Sequence, residues 1–182
     1  KDGVFSILGN HDYGDYIRWE SEADKIKNLS DLKNLQADMG WNLLLNEHLY
    51  LEKDNEKIAL IGVENWGEGG FKKAGDLDKA SEGVAQEDFK IVMSHDPSHW
   101  KSKIKEDSRN FQLTLSGHTH GGQVKPPFLP PPVLPVKNKT YTSGIFDVGG
   151  GRTLYINRAL GTLHQVRFNV RPVITLFELK QA

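Results

Sequence analysis

Three short apolar runs in this chain each end on a polar turn that carries histidine. Val4-Phe5-Ser6-Ile7-Leu8 runs into Gly9-Asn10-His11-Asp12, and Phe89 to Met93 runs into Ser94-His95-Asp96-Pro97. Phe111-Gln112-Leu113-Thr114-Leu115 runs into Ser116-Gly117-His118-Thr119-His120-Gly121-Gly122-Gln123. Runs of this length, bounded by glycine, asparagine and proline, read as strands. In an α/β sheet the loops that follow the carboxyl ends of strands share one crevice. Three such endings at one edge would bring an amide oxygen and four imidazoles together. His118 and His120 stand at i and i+2, so their rings point the same way if strand geometry continues. Imidazole is the commonest nitrogen ligand for transition metals, so the pattern calls for a sheet with a metal-competent edge. One such ending is easily chance; three are not.

The remaining segments fill in around that sheet. From Ser21 to Met39, Ala23, Ile26, Leu29, Leu32, Leu35 and Met39 recur at spacings of three and four, the pattern of an amphipathic helix. Ser30-Asp31 brings capping chemistry into its middle, so one helix or two short ones are equally expected, ending at Gly40. Trp41 to Leu51 and Lys57 to Val63 read as strand-forming segments, with Asp54-Asn55 as a hairpin turn. Glu64 to Ala74 is a glycine-rich loop whose Trp66 and Phe71 either form a binding lip or, the favoured reading, fold over a neighbouring core. Asp76 to Ala85 predicts a short helix, and Pro97-Ser98-His99-Trp100 opens another. The proline-dense run Pro126 to Pro135 excludes helix and central strand and predicts an extended surface crossing. Gly144 to Val148, Thr153 to Ile156 and Val173 to Leu179 read as further strands.

A chain of 182 residues suits a single domain over 1–182. It runs from Lys1 straight into an apolar strand, so the chain is expected to be an N-terminally truncated excerpt of a longer protein. With 23 basic and 24 acidic residues, the net charge of -1 offers no electrostatic case for nucleic acid. The absence of cysteine excludes disulfides and thiolate sites, leaving His, Asp, Glu, Asn or backbone to hold any metal. No apolar run reaches the ~18 residues of a membrane span.

Gly9-Asn10-His11-Asp12, a lone His95 after a strand, and Gly117-His118-Thr119-His120 resemble the last three motifs of the calcineurin-like metallophosphoesterases. The wider wording, Met93 to Pro97 and Ser116 to Gln123, resembles the bacterial YaeI/YkuE-type branch, and the likeness extends through the Arg158 to Leu179 tail. The resemblance implies an α/β fold, the C-terminal portion of a four-layer α/β/β/α sandwich with mixed sheets flanked by helices. It implies a hydrolase of phosphoric esters, diesters or monoesters, with two divalent ions (Mn, Fe or Zn) in the full-length protein. Asn10, His95 and His118 would hold one metal and His120 would belong to the other. His11 would stand beside the substrate phosphate, steered by Asp12. Two dications about 3.5–4 Å apart clamp a phosphate and acidify a bridging water, giving hydroxide for in-line attack on phosphorus. His11 would then stabilise developing charge or protonate the leaving oxygen.

The family's upstream Asp-x-His and Gly-Asp-x-x-Asp motifs do not occur in this sequence. Gly75-Asp76-Leu77-Asp78 has the wrong spacing and reads as a helix cap. Asn10, His95, His118 and His120 are all neutral, so this chain alone is expected to bind at most one metal, weakly, and to be inactive. An uncovered apolar face and strand edge would favour self-association. His99 is expected to cap or pack rather than ligate, and His48 to be structural; nothing in the sequence fixes whether His164 reaches the site. Two rivals stand beside the enzyme: a binding module that has lost catalysis, and a metal-dependent hydrolase of another bond. The phosphate-ester substrate, set by the Glu64–Ala74 and Pro126–Pro135 loops, is not identified by sequence. Relatives of this branch often carry a hydrophobic or export segment, which leaves the compartment open.

Overall fold

A computed structural model describes residues 3–124, 141–161 and 167–180. The proline run and His164 lie outside the described residues. In chain order the elements are β1 (Val4–Ser6), α1 (Glu22–Asp38), β2 (Trp41–Leu43), β3 (Glu47–Lys53), β4 (Glu56–Val63), α2 (Leu77–Ala80), β5 (Phe89–Ser94) and α3 (Pro97–His99). A π-helical turn, Trp100–Ile104, continues α3, followed by β6 (Leu113–Ser116), β7 (Gly144–Asp147) and β8 (Thr153–Ile156). Six strands form one sheet in the order β3-β4-β5-β6-β8-β7, and β1 and β2 pair separately. The inner strands β4, β5, β6 and β8 run parallel, and β3 and β7 close the edges antiparallel. This is the mixed-sheet α/β architecture that the resemblance implies.

Both faces of the large sheet are covered, which is why its parallel strands are mostly apolar. On one face Ile61, Val63, Val92, Leu154 and Ile156 pack against Leu77 and Ala80 of α2 and against Trp100, Ile104 and Phe111. On the other, Leu60, Ile91 and Leu113 meet Leu44 and the half-buried Phe5 and Ile7. Strand alternation turns Ser6 away from that core, and its hydroxyl donates to Gln36 Oε1 of α1 at 2.5 Å. Helix, small sheet, large sheet and helix therefore stack as four layers.

The β3–β4 turn forms at Asp54-Asn55 as the sequence predicts, with φ of 51° and 65°. Two residues at positive φ are what a two-residue type I′ hairpin requires. Helix α1 is continuous, capped by Ser21, whose hydroxyl accepts from Asp24 N at 3.1 Å. The capping chemistry in its middle does not break it, because Asp31 faces solvent and pairs with Lys27 at 2.5 Å. Gly40 ends it at φ 73°.

Three expectations are corrected. The run Val4 to Leu8, which its apolar sequence predicts to be a buried strand, is half-exposed over Val4–Ser6, where β2 is its one partner among the described residues; burial begins at Leu8. The apolar stripe of α1 does not face a core, since Ile26, Leu35 and Met39 are exposed and Gln36 is the helix's buried residue. Among the described residues Val173–Leu179 joins no ladder. It lies against β8, where Phe177 meets the Tyr155 ring edge-on at 4.9 Å and Thr175 Oγ1 bonds the Tyr155 hydroxyl. Among the described residues no helix is long and apolar enough to cross a membrane.

Candidate metal centre

The three polar turns after β1, β5 and β6 meet at one edge. Asn10 is buried there, with Oδ1 2.8 Å from His95 Nε2 and 3.0 Å from His118 Nδ1. The two nitrogens lie 3.2 Å apart, which closes a triangle of potential donor atoms. Gly9 permits this approach: a Cβ there would stand 2.8 Å from the His95 ring. Strand geometry does not continue into the Ser116–Gln123 turn, because His118 and His120 adopt left-handed backbone at φ 65° and 51°. Their rings consequently serve different neighbours. His120 Nδ1 lies 3.1 Å from Gly161 O and 3.5 Å from an Arg167 guanidinium nitrogen, leaving Nε2 uncommitted by those contacts. His11 stacks on Tyr16, centroids 4.0 Å apart and planes within 8°. The Asp12 carboxylate accepts from Gly9 N–H at 2.7 Å and closes the turn on itself.

The electrostatics of the triangle decide whether a cation fits. Burial drives the His95 pKa down to about 3, helped by the neighbouring His118, His120 and His11 rings. Burial also lowers His118, although Asp96 pulls the other way. Both rings are therefore neutral, with one N–H each. Asp96 Oδ2 faces His118 Nε2 at 3.5 Å, which places that ring's proton on Nε2 and turns the Nδ1 lone pair toward Asn10 and His95. Three acceptor sites, one buried and two half-buried, then share at most one proton, on His95 Nε2, a poor arrangement without a cation. Ligands about 2.1 Å from a metal and at right angles to each other are about 3.0 Å apart. The observed separations of 2.8, 3.0 and 3.2 Å match that spacing, so the donors present fit one face of a metal ion. Asp96 stands behind His118 where a carboxylate that orients a ligating imidazole would stand. The described residues hold no group of three or more His, Cys, Asp or Glu side chains placed for a metal; here the third corner is an amide.

Comparison with known proteins agrees with that geometry. The family model for calcineurin-like phosphoesterases matches residues 1–122, which include Asn10, His11, His95, His118 and His120. The chain belongs to that family. It is 32% identical to the uncharacterized metallophosphoesterase YkuE of Bacillus subtilis over 180 residues, 98% of this chain and 56% of that protein. It is 32% identical to the phosphodiesterase YaeI of Escherichia coli over 176 residues, 97% of this chain and 58% of that protein. A Danio rerio transmembrane protein with a metallophosphoesterase domain is 27% identical over 189 residues, 99% of this chain and 39% of that protein. The chain thus spans a little over half the length of the two bacterial relatives. No solved structure matches it.

Within this phosphoesterase domain, three side chains at the site escaped the sequence reading. Asp96 stood next to a motif histidine, but its partner His118 is far along the chain. Its approach needs Gly67, where a Cβ would sit 2.2 Å from Asp96 Oδ2. Tyr16 lies in a turn with no pattern, and Arg167 in the tail reaches the carbonyls of Arg158 and Ala159 as well as His120. The loop aromatics divide between the two readings offered for them. Trp66 packs over buried His99 at 4.8 Å, whereas Phe71 stands edge-on to His118 at 5.4 Å, beside the triangle. His99 is a packed residue, bonded through Nδ1 to Ser94 Oγ at 2.8 Å, and His48 Nδ1 contacts Ala80 O at 3.1 Å. Asp76 caps α2 by accepting from Lys79 N at 3.0 Å.

Burial lowers four described histidines, His95, His99, His118 and His120, and gives the metal-free domain a pH signature. Burial holds His95 at about 3 and His99 at about 4, against 6.5 for a free imidazole. Below pH 6.5 the unfolded chain takes up protons that the folded rings refuse, so stability rises with pH across this window. It is fully present above pH 6.5 and lost as pH falls toward 4. Each ring contributes a slope of about 1.4 kcal/mol per pH unit. Urea titrations between pH 6.5 and 4.5 are expected to show a shallower slope in His99→Gln, by about one ring's share. Parallel slopes in variant and parent would remove His99 from the account.

Proposed function

We propose that the protein carrying this chain hydrolyses phosphodiesters or phosphomonoesters at a dinuclear metal centre. The observation that carries the reading is the triangle of neutral, inward-facing donors at Asn10, His95 and His118. The name of YaeI, a phosphodiesterase, supports the same reaction class. Asn10, His95 and His118 would hold one ion, and His120, through Nε2, the other. Divalent ions such as Mn, Fe or Zn bound there would hold the phosphate and acidify a water. Asp96 keeps the His118 lone pair aimed inward, and burial keeps His95 unprotonated at neutral pH, so no proton competes for the site. His11, exposed on its turn, would donate to the phosphate or to the leaving oxygen. The four ligands named here carry no charge, so the 182-residue chain by itself would bind at most one dication, weakly, and would not turn over. Calorimetry finding two tight sites on this chain would refute that part.

The test is hydrolysis of an aryl phosphodiester and an aryl phosphomonoester by full-length protein with added Mn. His11→Ala is expected to lower kcat by about 10²- to 10⁴-fold while leaving Mn affinity unchanged. Absence of Mn-dependent hydrolysis with both esters would overturn the reaction, and an unchanged kcat in His11→Ala would remove that residue's role.

A further inference from the structure

Tyr16 belongs to no motif, yet it touches two members of the site at once. Its hydroxyl accepts from Asn10 Nδ2, on the side of the amide away from the triangle. Its ring lies parallel to the His11 imidazole at 4.0 Å. Beyond it stands Phe71, with centroids 6.2 Å apart, and Phe71 in turn meets His118. His11, Tyr16, Phe71 and His118 thus form a continuous chain of rings around the buried Asn10.

Both contacts supply something the local sequence does not. The terminal torsion of an asparagine is broad, so Asn10 can aim Oδ1 at two histidines only if the far end of its amide is held. A hydroxyl both donates and accepts, so Tyr16 fixes the plane of that amide, and a bound cation selects its oxygen. His11 is exposed on a turn, and the neighbouring Asp12 is committed to Gly9 N–H, so stacking on Tyr16 is what sets its ring. We propose that Tyr16 is a positioning residue of this site, its hydroxyl setting the Asn10 amide and its ring setting the His11 imidazole.

Two variants of the full-length protein separate the two contacts. Tyr16→Phe keeps the stack and loses the hydroxyl; Tyr16→Leu loses both. In calorimetric Mn titrations Tyr16→Phe is expected to weaken binding about 10-fold, the lower end for a residue that orients a ligand. In ¹H–¹⁵N spectra of metal-free protein the Asn10 side-chain amide protons should lose protection from exchange. At saturating Mn, kcat of Tyr16→Phe should stay near the parent value, whereas Tyr16→Leu should fall about 10-fold or more. That last fall should vanish in a His11→Ala background. Tyr16 is half-exposed, so both variants should melt close to the parent. Unchanged Mn affinity and amide exchange in Tyr16→Phe would overturn the hydroxyl's role. An equal kcat loss from Tyr16→Leu with and without His11 would overturn the ring's. The kcat arm rests on the phosphoesterase reading; if the parent hydrolyses nothing, calorimetry and exchange still decide the hydroxyl's role, and exchange at the His11 ring protons in Tyr16→Leu decides the stack.

Discussion

His118→Ala in the full-length protein is expected to reduce Mn-dependent phosphoester hydrolysis by at least about 10³-fold. Among the described residues its side chain is tied to several parts of the site at once. Its Nδ1 meets Asn10 Oδ1 at 3.0 Å and His95 Nε2 at 3.2 Å, its Nε2 faces Asp96, and Phe71 leans on its ring. Removing it opens the triangle and leaves the buried Asp96 carboxylate without the imidazole it orients. A metal ion supplies several kcal/mol of charge stabilisation, and about 4 kcal/mol corresponds to a factor of about 10³. The backbone at position 118 is left-handed, φ 65°, which alanine tolerates poorly. His118→Asn therefore runs alongside, since asparagine accepts that conformation more readily. Both variants should lose activity and Mn affinity, and the asparagine variant should melt nearer the parent. Activity within tenfold of the parent in both would remove His118 from the ligand set.

The parts of this site that sequence reveals are the local ones. Each strand ending states its own residues, so Asn10, His11, His95, His118 and His120 can be picked out without knowing where the strands lie. What escapes is whatever depends on how two distant segments approach. The partner of Asp96 is of that kind; the stack on His11 and the grip on Asn10 come from Tyr16, in the same irregular turn, whose path no periodicity encodes. The i, i+2 argument for His118 and His120 does not apply, for a related reason: the chain leaves extended geometry after Gly117, and both histidines take left-handed backbone. Binary patterning also misleads inside β5. Phe89 is 39% exposed while Lys90 is buried, because the Lys90 ammonium donates to the carbonyls of Gln86 and Asp88. Burial pushes that ammonium's pKa down, so a polar contact substitutes for the apolar residue expected there. The amphipathic stripe of α1 was legible, but not the partner it would need, and in the described structure it faces outward.

The glycine of β4 tests how far the site depends on the layer beneath it. Propensity alone favours replacing Gly62, since glycine in a strand interior is worse than alanine by roughly 0.5–1 kcal/mol. The structure reverses the sign. A Cβ at position 62 would lie 2.2 Å from Leu44 Cβ, 2.9 Å from Leu44 Cδ1 and 3.1 Å from Ile7 Cγ2. Carbon atoms pack at about 3.5–4.0 Å, so the small sheet would have to lift by more than an ångström. Leu44 cannot swing aside, because the nearest atom is its own Cβ and its backbone N–H is bonded to Ser6 O at 2.9 Å. Gly62→Ala is therefore expected to lose about 3 kcal/mol in urea unfolding, the upper end for overpacking. The same displacement moves β1, and with it Asn10, away from His95 on the large sheet, so Mn affinity should fall although no ligand has changed. Leu44→Gly removes the clashing Cβ, and in that background Gly62→Ala should recover the mild stabilisation that propensity predicts. Additive losses in the double variant would show that the close approach of the two sheets is not what Gly62 protects.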